Sequence, residues 1–159
     1  MNFTTADLCD AFPESVKVAE PVLARYGGMP RFGGPIETLR VFEDNGLVRA
    51  TLESSGEARV LVIDGGGSLR TALVGGRLTA LAHSNGWAGI VVNGCIRDSA
   101  EIADIPIGLR AVTTSPMRSA KEGAGTRGNA VAFAGLVFTP GHYLYSDEDG
   151  LLVASRSLI

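Results

Sequence analysis

The sequence predicts an α/β fold with a substantial β layer, and three observations carry that prediction. Val60-Leu61-Val62-Ile63 and Trp87 to Val92 are short apolar runs with β-branched residues, the pattern of strands covered on both faces. Between them, Arg77 to His83 keeps Leu78, Leu81 and Ala82 at helical spacing, and Asn85-Gly86 offers residues that tolerate the left-handed conformation closing a helix. In the last third the apolar segments become short and are separated by turn residues, so that part reads as mainly β rather than as a continued doubly wound sheet.

In chain order, Thr4 or Thr5 caps a short helix through Asp7, Leu8 and Ala11, with Pro13 just past its end. Val16 to Ala19 alternates like an edge strand. Tyr26 to Pro35 is rich in Gly and Pro and reads as a turn-rich loop, and Ile36 to Phe42 as a strand. Asp44 or Asn45 caps a helix reaching about Glu53. After the strand at Val60–Ile63 come Asp64-Gly65-Gly66-Gly67-Ser68 and then Leu69 to Val74, read as a short helical turn. Gly75-Gly76 opens the central helix. Arg97 to Ala103 is expected to be helical, Ile107 to Val112 a strand, and Ser115 to Asn129 an irregular surface loop. Ala130 to Phe133 and Leu136 to Phe138 flank Ala134-Gly135 as a hairpin. Tyr143 to Ser146 and Leu151 to Ala154 flank a second turn at Asp147-Glu148-Asp149-Gly150.

The chain has 159 residues, so one domain spanning 1–159 with its own core is expected. A net charge of -3 argues against a sequence-independent nucleic-acid binder, which would carry a basic face, and leaves a protein partner open. The start MNFTTADLCDAF has no basic segment followed by an apolar core, and no apolar run approaches the roughly 20 residues of a membrane span, so a cytoplasmic protein with no membrane contact is expected. Cys9 and Cys95 form no CxxC pair and read as two buried thiols in a reducing compartment.

Several motifs are excluded by spacing. Asp64-Gly65-Gly66-Gly67-Ser68-Leu69-Arg70 follows a strand, but it matches neither GxGxxG nor GxxxxGK[ST], so it reads as a glycine turn behind the site edge. His83 and His142 lack partners at zinc-ligand spacing, no GxSxG elbow surrounds a serine, and Asp147 to Gly150 lacks the twelve-residue calcium pattern.

The stretch Gly75 to Glu101 carries the chemistry. If the central helix and the following strand lie side by side, the free amides at the helix start face Arg97 and Asp98 at the strand's carboxyl end. Partial positive charge, a fixed cation and a carboxylate in one crevice suit an anionic, metal-bound substrate. On a helix, Asp98 and Glu101 would share a face. A structural reading also accounts for them: acids at the positive end of a helix dipole stabilise its first turn.

VLVIDGGGSLRTALVGG followed by NGWAGIVVNGCIRD resembles the family called regulator of ribonuclease E activity A, which shares its fold with the 4-hydroxy-4-methyl-2-oxoglutarate aldolases. LCDAFPESVKVAEP, FGGPIETLRVFEDNGLV, GLVFTPGHYLYSDEDGLLV and the loop with Lys121-Glu122-Gly123-Ala124-Gly125 extend the likeness over nearly the whole chain. The resemblance implies a swivelling β/β/α-type domain with a central mixed sheet, assembled as a homotrimer. It implies that Gly75, Gly76, Arg77 and Leu78 bind the pyruvyl part of a 2-oxo acid through their amides, and that Arg97 binds the same group. It further implies that Asp98 holds a divalent cation, Mg²⁺ or Mn²⁺, with Glu101 reaching it through water. Many aldolase members carry an acid where this chain has Gly76. The implied activity is a metal-dependent lyase, a class II-type aldolase releasing pyruvate, with oxaloacetate decarboxylation as a side activity. The alternative implied by the same family is a non-catalytic regulator that binds and inhibits ribonuclease E.

Overall fold

The computed structural model describes residues 2–159. Its elements run α1 (Thr5–Ala11), β1 (Val16–Val18), β2 (Ala24–Arg25), β3 (Phe32–Arg40), α2 (Gly46–Leu52), β4 (Val60–Asp64), β5 (Ala72–Val74), α3 (Gly76–Ser84), β6 (Gly89–Ile96), α4 (Ser99–Ile102), β7 (Gly108–Thr114), β8 (Thr126–Arg127), β9 (Val131–Phe133), β10 (Leu136–Phe138), β11 (Tyr143–Ser146) and β12 (Leu151–Ala154). The main sheet is mixed, in the order β1-β12-β11-β3-β4-β6-β7-β2, with β5 also on β6 and β8 also on β3. Its centre, β3-β4-β6-β7, is parallel, and β11, β12 and β1 continue it antiparallel.

The apolar runs of β4 and β6 are buried because layers cover both faces of the sheet. Leu61, Ile63, Ile90 and Val92 pack against the helix side with Val48, Leu52, Leu78 and Ala82. Val60, Val62 and Val91 pack with Val131, Leu136, Phe138, Leu144 and Val153 from the C-terminal strands. Helices, parallel sheet and β cover form the α, β and β layers in turn. Each fully buried Leu, Ile or Val here stabilises the fold by about 1.5–3 kcal/mol relative to exposure. Among the described residues, no helix is long and apolar enough to cross a membrane.

Local chemistry sets the ends. The Thr4 hydroxyl accepts the Asp7 amide at 3.0 Å, capping α1. Asn45 is the α2 cap residue, but its side chain bonds elsewhere, and the Asp44 Oδ1 accepts the Gly46 amide at 2.9 Å instead. Ala134 and Gly135 both take positive φ, as a two-residue hairpin between β9 and β10 requires.

Five readings of the sequence need correction. Leu69 to Val74 is not a helical turn: its second half is β5, which pairs with β6 at Ala72–Cys95 and Val74–Ile96. Tyr26 to Pro35 is not all loop, because β3 begins at Phe32 and pairs Phe32 to Pro35 with β11 before its pairing to β4 starts at Ile36. Pro35 is tolerated there, since a partner is needed on one side only. The strand read from Trp87 begins only at Gly89, and it ends at Ile96. The 115–129 loop contains β8, on Leu39 and Arg40. Cys95 is buried as expected, but Cys9 is only half-buried, on a short helix at the fold's edge.

Candidate active site

The site forms where two strands end side by side. β4 stops at Asp64, opposite Asn93, while β6 continues, and β5 takes up the edge of β6 that β4 leaves open. The Arg97 amide donates to the Val74 carbonyl at 3.0 Å, so the exits of β5 and β6 are tied together. α3 starts at one exit and α4 at the other.

The predicted helix start does face the predicted aspartate. The Gly76 amide donates to Asp98 Oδ2 at 2.9 Å. Asp98 achieves this in the left-handed region, φ 60° and ψ 40°, a conformation that costs a non-glycine residue about 1–2 kcal/mol and is held only where the surroundings enforce it. It is the cap residue of α4 but makes no side-chain bond to α4. Its carboxylate sits on the positive end of the neighbouring helix. Asp98 and Glu101 therefore do not share a helix face as the sequence suggested, because α4 begins only at Ser99. The first-turn reading holds for Glu101, which lies in the first turn of α4, whereas the Asp98 carboxylate serves the start of α3 instead.

Close approach explains both glycines. A Cβ on Gly75 would lie 2.8 Å from Asp98 Oδ2 and 3.4 Å from the Arg97 Cγ, and one on Gly76 would overlap the Glu101 carboxyl group. Gly76, whose position the resemblance gives to an acid in other members, is thus packed directly under the Glu101 carboxylate.

A cleft of about 620 Å³ opens over this arrangement, and Gly75, Arg77, Leu78, Arg97, Asp98 and Glu101 all line it. Gly76 is buried beneath. One predicted detail changes: the Gly76 amide is already bonded to Asp98, so of the four amides those without a protein acceptor among the described residues are the ones of Gly75, Arg77 and Leu78. Arg97 makes no ion pair with Asp98 or Glu101 among the described residues, so its charge is open to a ligand.

Sequence reading missed Asn45, Arg118 and Lys121, which line the same cleft. Asn45 is held by its Nδ2 donating to the Leu73 carbonyl at 3.2 Å. Arg118 and Lys121 arrive on a segment bridged to Ala72 and to Asp44. Asp44 fixes that segment, its carboxylate accepting the amides of Glu122 and Gly123, each at 3.1 Å. The Gly46 amide, with those of Gly123, Ala124 and Glu122, holds the Asp44 carboxyl below its usual range against an opposing effect of burial. The local signal was two cations beside Ser119 and Gly123 in an otherwise acidic chain, which names no site by itself.

Asp98 fits a hard divalent cation. Oδ2 is occupied by an amide, but Oδ1 and the Glu101 carboxylate have no protein donor among the described residues. No group of three His, Cys, Asp or Glu side chains could hold a metal among the described residues, so a fully protein-built cage is not available. Mg²⁺ and Mn²⁺ need none, because they bind through one or two carboxylates, retained waters and substrate oxygens.

The other glycine turn is closed. The Gly65 and Gly67 amides both donate to the Asn93 carbonyl at 3.1 Å, and the Gly66 amide donates to Asp64 Oδ1 at 3.0 Å. Its amides are spent on β6 and on Asp64, in line with the motif's failure to match a nucleotide loop.

The family model for RraA-like proteins, described as Aldolase/RraA, matches residues 5–153. A protein of Dechloromonas aromatica named "Putative 4-hydroxy-4-methyl-2-oxoglutarate aldolase" is 53% identical, with 99% of each chain covered. One of the same name from Paraburkholderia phymatum is 54% identical, covering 100% of each. Among solved structures, the RNA-processing inhibitor RraA from Thermus thermophilis superposes with a TM-score of 0.94 at 47% identity, over 100% of this chain and 98% of that one. A Geobacillus kaustophilus structure described as an S-adenosylmethionine:2-dimethylmenaquinone methyltransferase superposes at 0.96 with 49% identity, over 98% of this chain and 97% of that one.

Proposed function

The chain belongs to the RraA-like family, and from that membership and the cleft we propose that it is a divalent-metal-dependent lyase. In this reading it cleaves 4-hydroxy-4-methyl-2-oxoglutarate to pyruvate and decarboxylates oxaloacetate as a side activity. One observation carries the reading: the start of α3, Arg97, Asp98 and Glu101 converge on a single cleft, with the Gly76 amide on Asp98 at 2.9 Å.

Asp98 would hold Mg²⁺ or Mn²⁺ through its open oxygen, with Glu101 bonding to the cation's waters. The bound cation supplies Lewis-acid polarisation of the 2-oxo group. The chain's own residues do the rest. The Arg77 and Leu78 amides, at the positive end of α3, bind the substrate carboxylate, and Gly75 keeps the wall low enough for it to approach. Arg97 forks onto the pyruvyl oxygens. When the bond between C3 and C4 breaks, the C4 hydroxyl gives up its proton and becomes a ketone. The electron pair left on C3 delocalises onto the 2-oxo oxygen, where the guanidinium faces the growing charge. Protonation at C3 completes pyruvate. Loss of CO₂ from oxaloacetate leaves the same electron pair on C3, so the same residues serve it.

The experiment is pyruvate release from each substrate, with and without Mg²⁺. Metal-dependent release from the hydroxy-methyl-oxoglutarate supports the reading, and no release from either substrate in folded protein overturns it.

The likeness to the Thermus inhibitor favours a second reading, a regulator that binds and inhibits ribonuclease E without catalysis. Its surface would compete for basic, RNA-binding segments through charge complementarity, consistent with a net charge of -3. Co-purification with ribonuclease E from the native host, and slowed RNA cleavage on adding the protein, would support it. We take the assembly to be a homotrimer in either case, which light scattering tests directly.

A further inference from the structure

The cleft carries more positive charge than one pyruvyl group needs. Arg77, Arg97, Arg118 and Lys121 line it, and none of them forms an ion pair among the described residues. The two acids on the cleft, Asp98 and Glu101, both come from the β6 exit. Arg118 and Lys121 come from the opposite wall. Ala72 pairs with Cys95 of β6 and bridges Arg118, so β5 lies between the strand that leads into Arg97 and the segment that carries Arg118. Two strand spacings, about 9–10 Å of backbone, thus separate the walls. That span lets arginine and lysine side chains close on two ends of one short substrate.

The far wall is built rather than loose. The Ser119 Oγ donates to the Ala72 carbonyl at 2.7 Å, the Ala120 amide donates to the Glu43 carbonyl at 2.9 Å, and the Asn45 amide donates to the Ala120 carbonyl at 2.9 Å. With Asp44 gripping the next two amides, the backbone on both sides of Arg118 and Lys121 is fixed while their side chains stay exposed. Holding unpaired like charges on an ordered backbone is unfavourable until an anion arrives between them.

We propose that Arg118 and Lys121 form a second carboxylate subsite, opposite Arg97, that selects dicarboxylic over monocarboxylic 2-oxo acids. The proposal rests on the lyase reading and adds to it the residues that read the far end of the substrate. It is tested by equilibrium binding, without turnover. Calorimetry in excess Mg²⁺ compares 2-oxoglutarate with 2-oxopentanoate, which shares the 2-oxo acid head and chain length but lacks the distal carboxylate.

Wild-type protein is expected to prefer 2-oxoglutarate by about 10- to 100-fold, the range for a charged hydrogen-bonded contact. Arg118→Gln and Lys121→Gln each reduce the ratio, and the double variant brings it within about twofold of unity, while Arg118→Lys retains part of it. Both side chains are exposed and make no hydrogen bond among the described residues, so the variants are expected to melt like wild type. Equal affinities in the wild type, or an unchanged ratio in a folded double variant, overturn the subsite alone. Wild-type protein that binds neither acid overturns the lyase reading and the subsite with it.

Discussion

Two glycine turns leave the same edge of the sheet, one after β4 and one after β5, and they end differently. At residues 65–67 every amide is consumed, by the Asn93 carbonyl of the neighbouring β6 and by the Asp64 carboxylate. At residues 75–78 only the Gly76 amide is consumed, by Asp98 from another segment, and the next two amides stay open beneath a cleft. The first turn uses glycine for positive φ, at Gly66 and Gly67. The second uses it for space, because the side chains of Asp98 and Glu101 stand where a Cβ would be. Glycine content therefore does not mark a binding loop; what marks it is whether the amides are left without acceptors.

The largest effects belong to the open turn. Asp98→Ala is expected to reduce metal-dependent pyruvate release to the metal-free background while circular dichroism stays native. Arg97→Lys, which keeps the charge but loses the fork, should lower kcat/KM by about 10²–10³, and Arg97→Ala by more. Values within threefold of wild type for Arg97→Lys, at saturating Mg²⁺, would reduce Arg97 to a surface cation worth about 0–1 kcal/mol.

Gly76→Ala comes next. The added methyl displaces the Glu101 carboxylate, and misplacement of a site group by about 1 Å costs up to roughly 10²-fold, so a 10- to 100-fold loss in kcat/KM is expected. Glu101→Ala in the same background gives the methyl room. If the double variant is no less active than Gly76→Ala alone, displacement of Glu101 is the cause of the loss. A fully active Gly76→Ala protein would remove space as the reason for glycine.

The sequence made α1, α3, β4 and the two hairpins legible because each has a cap, a period or a turn of its own. The site was half legible. Arg97 and Asp98 lie next to each other after a readable strand, but Asp98's left-handed turn onto α3 depends on where β5 packs. β5 has three residues and no measurable period, and only the overhang of β6 gives it a partner. Arg118 and Lys121 were illegible for the same reason. Two isolated bridges, at Asp44–Ala120 and Ala72–Arg118, bring them to the cleft, and no local pattern announces a bridge.

A further prediction contrasts a carboxylate far from the cleft with the open ones inside it. Asp147 accepts the Thr5 amide at 2.6 Å and the Thr5 hydroxyl at 2.7 Å, pinning α1 to the β11–β12 turn. Burial pushes its carboxyl up, but the Thr5 hydroxyl and amide and the amides of Asp149 and Gly150 outweigh that and hold it below its usual range. A lowered folded value means that the unfolded chain takes up its proton first as pH falls. The stabilisation is complete above the unfolded carboxylate range, near pH 4, and is lost as pH drops through the lower folded value. Melting temperature should therefore fall between about pH 5 and pH 3. In Asp147→Asn it should start lower at neutral pH and fall less steeply. Parallel pH profiles for the two proteins would show that Asp147 contributes no linkage.

The smallest effect tests the closed turn itself. Gly67 has φ +71°, and a Cβ there would meet nothing nearer than Asn93 Oδ1 at 3.8 Å, so Gly67→Ala meets strain in the backbone and not in packing. The left-handed conformation costs alanine about 1–2 kcal/mol. Restricting the unfolded chain returns about 0.4–1 kcal/mol, leaving a net loss near 1 kcal/mol. For a chain of this size that lowers the melting temperature by about 2–4 °C. Because the amides of this turn are already bonded to Asn93 and Asp64, none is withdrawn from a ligand, and kcat/KM should stay within about twofold of wild type. The pair Gly67→Ala and Gly76→Ala separates the two uses of glycine, since one variant should lose stability with activity intact and the other should lose activity. If Gly67→Ala lost activity as Gly76→Ala does, with a similar melting temperature, the closed turn would belong to the site and the contrast between the two turns would fail.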